Sequence, residues 1–423
     1  MSYYNDDELT APDWINKEFL EEVLGNYENN GPLEVLKFDM SPASMKGDHY
    51  ASAMFRCKVE YRFLDKQPAE VKTISLIIKT LPVAEGMKRE MLMESKVFET
   101  EIEMYTQALP KISKILAQCG EPTTLSAEII YYSLSPNKVI IFQDLCELGY
   151  DTVRGRCLTE DEVKQVYTKL AKLHAVSYML GHSETPDVVT KYQEGFMSLS
   201  MPMVKSLLAN GLKNFINVLE SHEELKIYVD KAKAMQNEIE PACKDLFNAY
   251  RLNKGQGDIF VLNHGDFHMK NLMFKFDAHN QMEDMIMVDF QISCYAPSVI
   301  DLLYSQFLIL DAEMRLRRHE FMQYYFSEFL RILKKINYQG KLPKYSDFQI
   351  SSLKYRHFVI YMVVVMLPMV VDFMGKSVEE LKDTDINELL ENPEVNALNY
   401  KLPVYAEELK RFLPQLLNEG YMD

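Results

Sequence analysis

Apolar and polar positions change their period twice along the chain. From Ala11 to Leu24 (APDWINKEFLEEVL), Trp14, Ile15, Phe19, Leu20, Val23 and Leu24 recur at helical spacing behind a Pro-Asp start, which predicts an amphipathic helix. From Leu33 to Thr80 the pattern turns to β. VLKFDM, SAMFRCKVEYRFL and VKTISLIIKTL are rich in β-branched and aromatic residues, with turns at Ser41-Pro42, Lys46-Gly47-Asp48 and Lys66-Gln67-Pro68. These segments predict a three-stranded antiparallel meander. A charged helix at about 90–109 is expected next, then two strands, AEIIYYSL and KVIIFQDL, around the turn Ser135-Pro136-Asn137.

Beyond Leu145 the helical period dominates. Val163, Val166, Tyr167, Leu170, Leu173 and His174 share one face of a helix expected over 161–180, where His174 reads as a satisfied core histidine. DIFVLNHGDF, NLMFKF and MIMVDF interrupt the helices with a short β region, and helices resume from Val299. The expected fold class is α+β with two lobes. An acidic helical arm (1–34) precedes a β-rich lobe (35–145) and a larger helical lobe (146–423), joined near Gln143–Leu148.

Charge removes one class of function. Against 46 Lys and Arg stand 62 Asp and Glu, a net charge of −16, which argues against a binder of nucleic-acid backbones. Residues 1–34 hold nine acids and one base, whereas 35–143 are nearly neutral with thirteen acids and fourteen bases. The six cysteines, at 57, 119, 146, 157, 243 and 294, form no CxxC clip and read as free thiols of a reducing compartment. No basic start followed by an apolar stretch marks a secretory signal. The longest apolar run, Phe358–Val371, is shorter than the ~18–20 residues of a membrane span, and Pro368 interrupts it. It reads as a buried core helix, and a cytoplasmic, monomeric protein is the expectation.

One stretch carries chemistry. His264-Gly265-Asp266-Phe267-His268-Met269-Lys270-Asn271 is followed, after a hairpin, by Val288-Asp289-Phe290-Gln291. An Asp and an Asn five residues apart point into one site, and the hairpin returns Asp289 beside them. Three such oxygens suit Mg²⁺ and a phosphate. The order matches the H-x-D-x-x-x-x-N loop and metal-binding Asp of kinase-fold phosphotransferases. Asp266 then takes the acceptor hydroxyl's proton, and Asn271 and Asp289 hold Mg²⁺. Taken singly, each is an ordinary polar turn residue; the ordered set is what points to phosphoryl transfer. His264 reads as a brace of the loop.

A fold of this kind needs a phosphate-binding lysine and a glutamate to hold it. Lys79, at the end of Ile74–Ile78, is the candidate lysine. Glu101 shares a helical face with Phe98 and Tyr105 and is the first choice of partner, with Glu94 the second. No G-x-G-x-x-G occurs; the phosphate-covering turn is Ser44–Ser52, with Gly47, Asp48 and Ser52. At the joint, the backbone of Asp144 and Leu145 is placed to pair with adenine. Neither G-x-x-x-x-G-K-[ST], H-E-x-x-H nor G-x-S-x-G is present.

HGDFHMKNLMF, IMVDFQISCYAPSVIDLLYS, KGDHYASAMFR, IIKTLP and FETEIEMY together resemble the ecdysteroid kinase-like (CHK kinase-like) family of insects, which is related to choline and aminoglycoside kinases. The resemblance runs from APDWINKEFL to about residue 320. It implies an ATP- and Mg²⁺-dependent small-molecule kinase of protein-kinase-like fold, with an ecdysteroid hydroxyl as the named acceptor. Lys79, Glu101, Asp266, Asn271 and Asp289 take the roles above. Gly47, Asp48 and Ser52 match the nucleotide loop, and Asp301 an acidic position of structural character. His49 and His268 depart from the family's usual Asn and aromatic residue. A kinase for xenobiotic or plant hydroxyl compounds, and a non-catalytic binder that keeps the fold, are the alternative readings.

Overall fold

The computed structural model describes residues 6–29, 31–43, 52–65, 70–197, 202–371 and 392–423. Three strands, β1 (Leu33–Pro42), β2 (Ala53–Phe63) and β3 (Val71–Thr80), form the expected meander. Helices intervene before β4 (Ile129–Ser133) and β5 (Val139–Gln143), and β5 then inserts beside β3, giving the antiparallel order β1-β2-β3-β5-β4. Alternation decides what each face does. Ala53, Phe55, Cys57, Val59, Tyr61 and Phe63 of β2 are buried at period two, together with Leu76 and Ile78 of β3.

Helix α1 (Lys17–Glu28) covers that face. Its Leu20, Val23 and Leu24 join the sheet's own apolar cluster, so the segment expected as an arm is part of the β lobe's core. The opposite face of the sheet carries Ser75, Ile77 and Lys79 of β3. It receives α2 (Met87–Glu94) and α3 (Val97–Glu103), which runs through a π-helical turn at Met104–Ala108 into α4 (Leu109–Gln118).

The single helix expected at 90–109 therefore breaks at Ser95, whose backbone is extended, and then outlasts its expected end. Its continuation has a local cause. The Leu109 N–H reaches back to Met104 O, and Pro110, which has no N–H to place, follows without breaking the ladder.

After the joint, α5 (Glu160–Gly181) starts from a Thr159–Glu162 capping box and runs through the middle of the helical lobe. A two-stranded pair, β7 (Phe260–Asn263) with β10 (Cys294–Pro297), and a small sheet, β6 (Tyr150–Asp151), β8 (Leu272–Phe276) and β9 (Met282–Met287), carry the loops between them. The β8–β9 turn is held by Asp277, whose Oδ1 accepts from the His279 and Gln281 N–H groups.

The long apolar run lies in the core as a helix with a π turn at Met362–Met366. Its Val364 and Val363 carbonyls accept from the Tyr400 and Tyr405 hydroxyls at 2.7 and 3.0 Å. Among the described residues no single helix is long and apolar enough to cross a membrane.

Candidate active site

The site forms where the two lobes meet, and Lys79 reaches across the junction there. Because β3 alternates, Lys79 leaves the face covered by α1 and points toward α3, where it is only 3% exposed. Its Nζ lies 2.6 Å from Glu101 Oε2 and 2.7 Å from Asp289 Oδ1. Phe98, Glu101 and Tyr105 are all buried on one side of the α3 segment, with the Tyr105 ring 4.7 Å from Phe142 and 5.6 Å from Phe290. Glu94 is exposed at the end of α2.

Burial alone would lower the Lys79 ammonium, but Asp289 and Glu101 raise it above the ordinary lysine value. Burial pushes the Glu101 carboxyl up, against the pull of Lys79.

In the helical lobe, Gly265 makes the Asp266 loop possible. Its φ is +88°, and a Cβ there would stand 2.2 Å from the Ile292 carbonyl oxygen. The loop's backbone is then held from outside. Asp301, fully buried, accepts from His264 N at 2.6 Å and Gly265 N at 2.9 Å, and its Oδ2 lies 3.1 Å from His174 Nε2. The other nitrogen of His174 lies 2.8 Å from the Tyr325 hydroxyl, so His174 is a satisfied core residue. His264 packs its ring 4.5 Å from Phe290 and places Nε2 2.9 Å from the Val288 carbonyl, tying the Asp266 loop to the Asp289 loop. Burial lowers the His264 pKa against the charges of Asp301 and Asp266, which favours a neutral imidazole.

Asp266 is fully engaged. Tyr304 donates to its Oδ1 at 2.9 Å, Asn271 Nδ2 donates to its Oδ2 and its carbonyl at 3.0 Å each, and His268 Nε2 lies 3.3 Å from Oδ2. Burial would raise this carboxyl, but His268 and the Tyr304 hydroxyl hold it below the usual carboxylate range.

Asp289 follows on a left-handed backbone, φ +66°, with Lys79 on one oxygen and Gln291 Nε2 3.1 Å from the other. Asp289 thus offers a carboxylate. The amide nitrogen of Asn271 is spent on Asp266, so its carboxamide oxygen is the atom left for a cation. Such hard oxygens fit Mg²⁺.

Other expected residues sit differently. Gly47, Asp48 and His49 lie outside the described residues, and Ser52 is buried just ahead of β2. The Asp144 side chain is occupied by Arg56 Nε and Ser75 Oγ, each at 2.7 Å, and by the Cys146 N–H at 3.1 Å. It caps the turn Leu145–Leu148 and braces the joint, and the Asp144 backbone is itself bonded, its N–H to the Ser75 carbonyl at 3.3 Å and its carbonyl to the Glu147 N–H at 3.2 Å. Leu145 is buried at the start of that turn. Tyr304 and Gln291, which touch the two aspartates, had no role assigned from sequence. Tyr304 stands three residues after Asp301 on one helical turn, a spacing that places both side chains toward the loop.

A β lobe and a helical lobe that enclose Lys79, Glu101, Asp266 and Asp289 between them make this a small-molecule phosphotransferase of the protein-kinase-like fold. Sequence similarity narrows the class. Residues 46–338 match the ecdysteroid kinase-like family, and the chain belongs to it.

Solved structures similar to the chain include a spectinomycin phosphotransferase with ADP and spectinomycin (14% identity, 95% of this chain and 99% of that one, TM-score 0.40). An ADP-bound aminoglycoside phosphotransferase is also similar (15% identity, 93% and 99% covered, TM-score 0.34). A third is an aminoglycoside 2″-phosphotransferase with GDP and kanamycin (12% identity, 90% and 99% covered, TM-score 0.37). No curated protein matches the chain significantly.

Proposed function

We propose that the protein transfers the γ-phosphate of ATP to an alcohol hydroxyl of a small molecule, with an ecdysteroid as the preferred acceptor. The observation that carries the reading is Lys79 held between Glu101 and Asp289 while Asp266 and Asn271 are bonded to each other. In this reading Lys79 binds the phosphates, Glu101 keeps it in place, and the backbone at Asp144–Leu145 meets the base. Gly47, Asp48 and Ser52 belong to the loop over the phosphates.

Asn271 and Asp289 would hold Mg²⁺, which when bound would neutralise phosphate charge. The acceptor oxygen bonds to the γ-phosphorus, and the bond to the β–γ bridging oxygen breaks with its electron pair leaving on ADP. The acceptor's proton passes to Asp266. Asp266, its rotation fixed by Tyr304 and Asn271, chiefly orients the hydroxyl, as a loose transition state with late proton transfer requires.

Family membership supports an ecdysteroid acceptor; a plant or xenobiotic alcohol is the second candidate within the same chemistry. Incubating the chain with radiolabelled ATP, Mg²⁺ and a panel of ecdysteroids and plant glycosides separates them. Asp266→Asn should abolish transfer while leaving the fold intact. Transfer unchanged in that variant would overturn the reading.

A further inference from the structure

Gln291 stands two residues after Asp289 and is 9% exposed. Its Nε2 donates to Asp289 Oδ2 at 3.1 Å, while its Oε1 is buried with no hydrogen-bond partner among the described residues. Turning the carboxamide over does not help, because it would set oxygen against the Asp289 carboxylate and orphan the nitrogen instead. The bond to Asp289 therefore fixes the orientation, and a buried acceptor is left waiting for a donor or a cation.

The setting selects between these. The carboxamide's own geometry keeps Oε1 close to Asp289, and a carboxylate repels a second anion but attracts a cation or the waters around it. Mg²⁺ takes six oxygens in near-octahedral order and keeps several waters.

We infer that Gln291 is the third protein residue of the cation site, and that Oε1 meets the ion or one of its waters beside Asn271 and Asp289. This inference rests on the phosphotransferase reading above. It also sets the order of binding. One carboxylate already balanced by Lys79, plus two neutral carboxamides, attracts a free divalent ion weakly. The ion arrives with the phosphates.

The test needs no acceptor. Mn²⁺ binding to the full chain is followed by electron paramagnetic resonance at saturating ADP, corrected for Mn²⁺–ADP in solution, and ADP affinity is measured separately in EDTA. Gln291→Met, similar in shape but without polar atoms, should weaken Mn²⁺ about 10-fold and leave ADP affinity in EDTA unchanged. Gln291→Glu, which keeps an oxygen and loses the donor, should bind Mn²⁺ at least as tightly as the wild type. Gln291→Ala replaces the methionine variant if thermal melting shows that one to be misfolded.

Unchanged Mn²⁺ affinity in the apolar variants overturns the assignment. So does a Gln291→Glu chain as weak as Gln291→Met, which would confine Gln291 to holding Asp289. A wild-type chain that takes no Mn²⁺ with ADP sinks the cation site itself, a different failure from either.

Discussion

The hydroxyl of Tyr304 donates to Asp266 Oδ1 across 2.9 Å, from the same helical turn on which Asp301 receives the His264 and Gly265 N–H groups. One turn of helix therefore sets both the backbone of the Asp266 loop and the rotation of its carboxylate. Tyr304→Phe keeps the ring and removes only the donor. With Asp266 free to rotate, transfer should fall about 10- to 100-fold while ADP affinity stays unchanged. The check is a comparison of kcat and KM on the acceptor that the panel yields, or of ATP hydrolysis by water. A variant with unaltered kcat would remove Tyr304 from the mechanism.

Lys79 answers two carboxylates at once, so its loss should be felt in both function and stability. Lys79→Met leaves Glu101, 1% exposed, without its cation. Removing one partner of a buried ion pair costs about 3–5 kcal/mol. Urea unfolding should show a loss of that order, and isothermal titration should show weakened ADP binding. Glu101→Gln, which can still face Lys79 with an oxygen, should unfold at a urea concentration between those of Lys79→Met and the wild type.

How far the sequence reaches is plain from these residues. Lys79, Asp266, Asn271 and Asp289 stand at fixed offsets in short motifs, and the strands around them alternate cleanly, so the lobes and the outline of the site are legible. Tyr304 and Asp266 are 38 positions apart, and Arg56 and Asp144 are 88 apart. No local period announces such pairs. The break at Ser95 and the π turn before Pro110 escape notice because a helical pattern records which residues face the core. It does not record where the backbone ladder widens.

Asp301 is the test of the loop's support. Three donors converge on its buried carboxylate: His264 N, Gly265 N and His174 Nε2. Asp301→Ala orphans all three inside the protein. Hydrogen bonds to a charged group contribute about 1.5–3 kcal/mol each, so a loss of about 3–5 kcal/mol is expected once the site relaxes. Chemical denaturation measures it, and a loss under 1 kcal/mol would contradict the bracing role. His174→Phe, which takes away one donor of the three, should cost less.

Away from the site, Glu121 is the point on which acid stability should turn. Burial would raise its carboxyl, but Arg331 Nη1 and Lys335 Nζ, each 2.5 Å away, and Lys172 Nζ at 3.1 Å bring it down to about 2. An unfolded glutamate titrates near ~4.3. The folded state therefore binds fewer protons than the unfolded one between these values. The stability due to Glu121 is present above pH ~4.3 and is lost as pH falls toward 2. Glu121→Gln has no such proton to gain. It should be less stable than the wild type at pH 7, and the difference should shrink between pH 4.5 and 2. Melting temperatures across that range decide the matter: parallel curves for the two proteins would show that the three cations do not depend on this carboxylate.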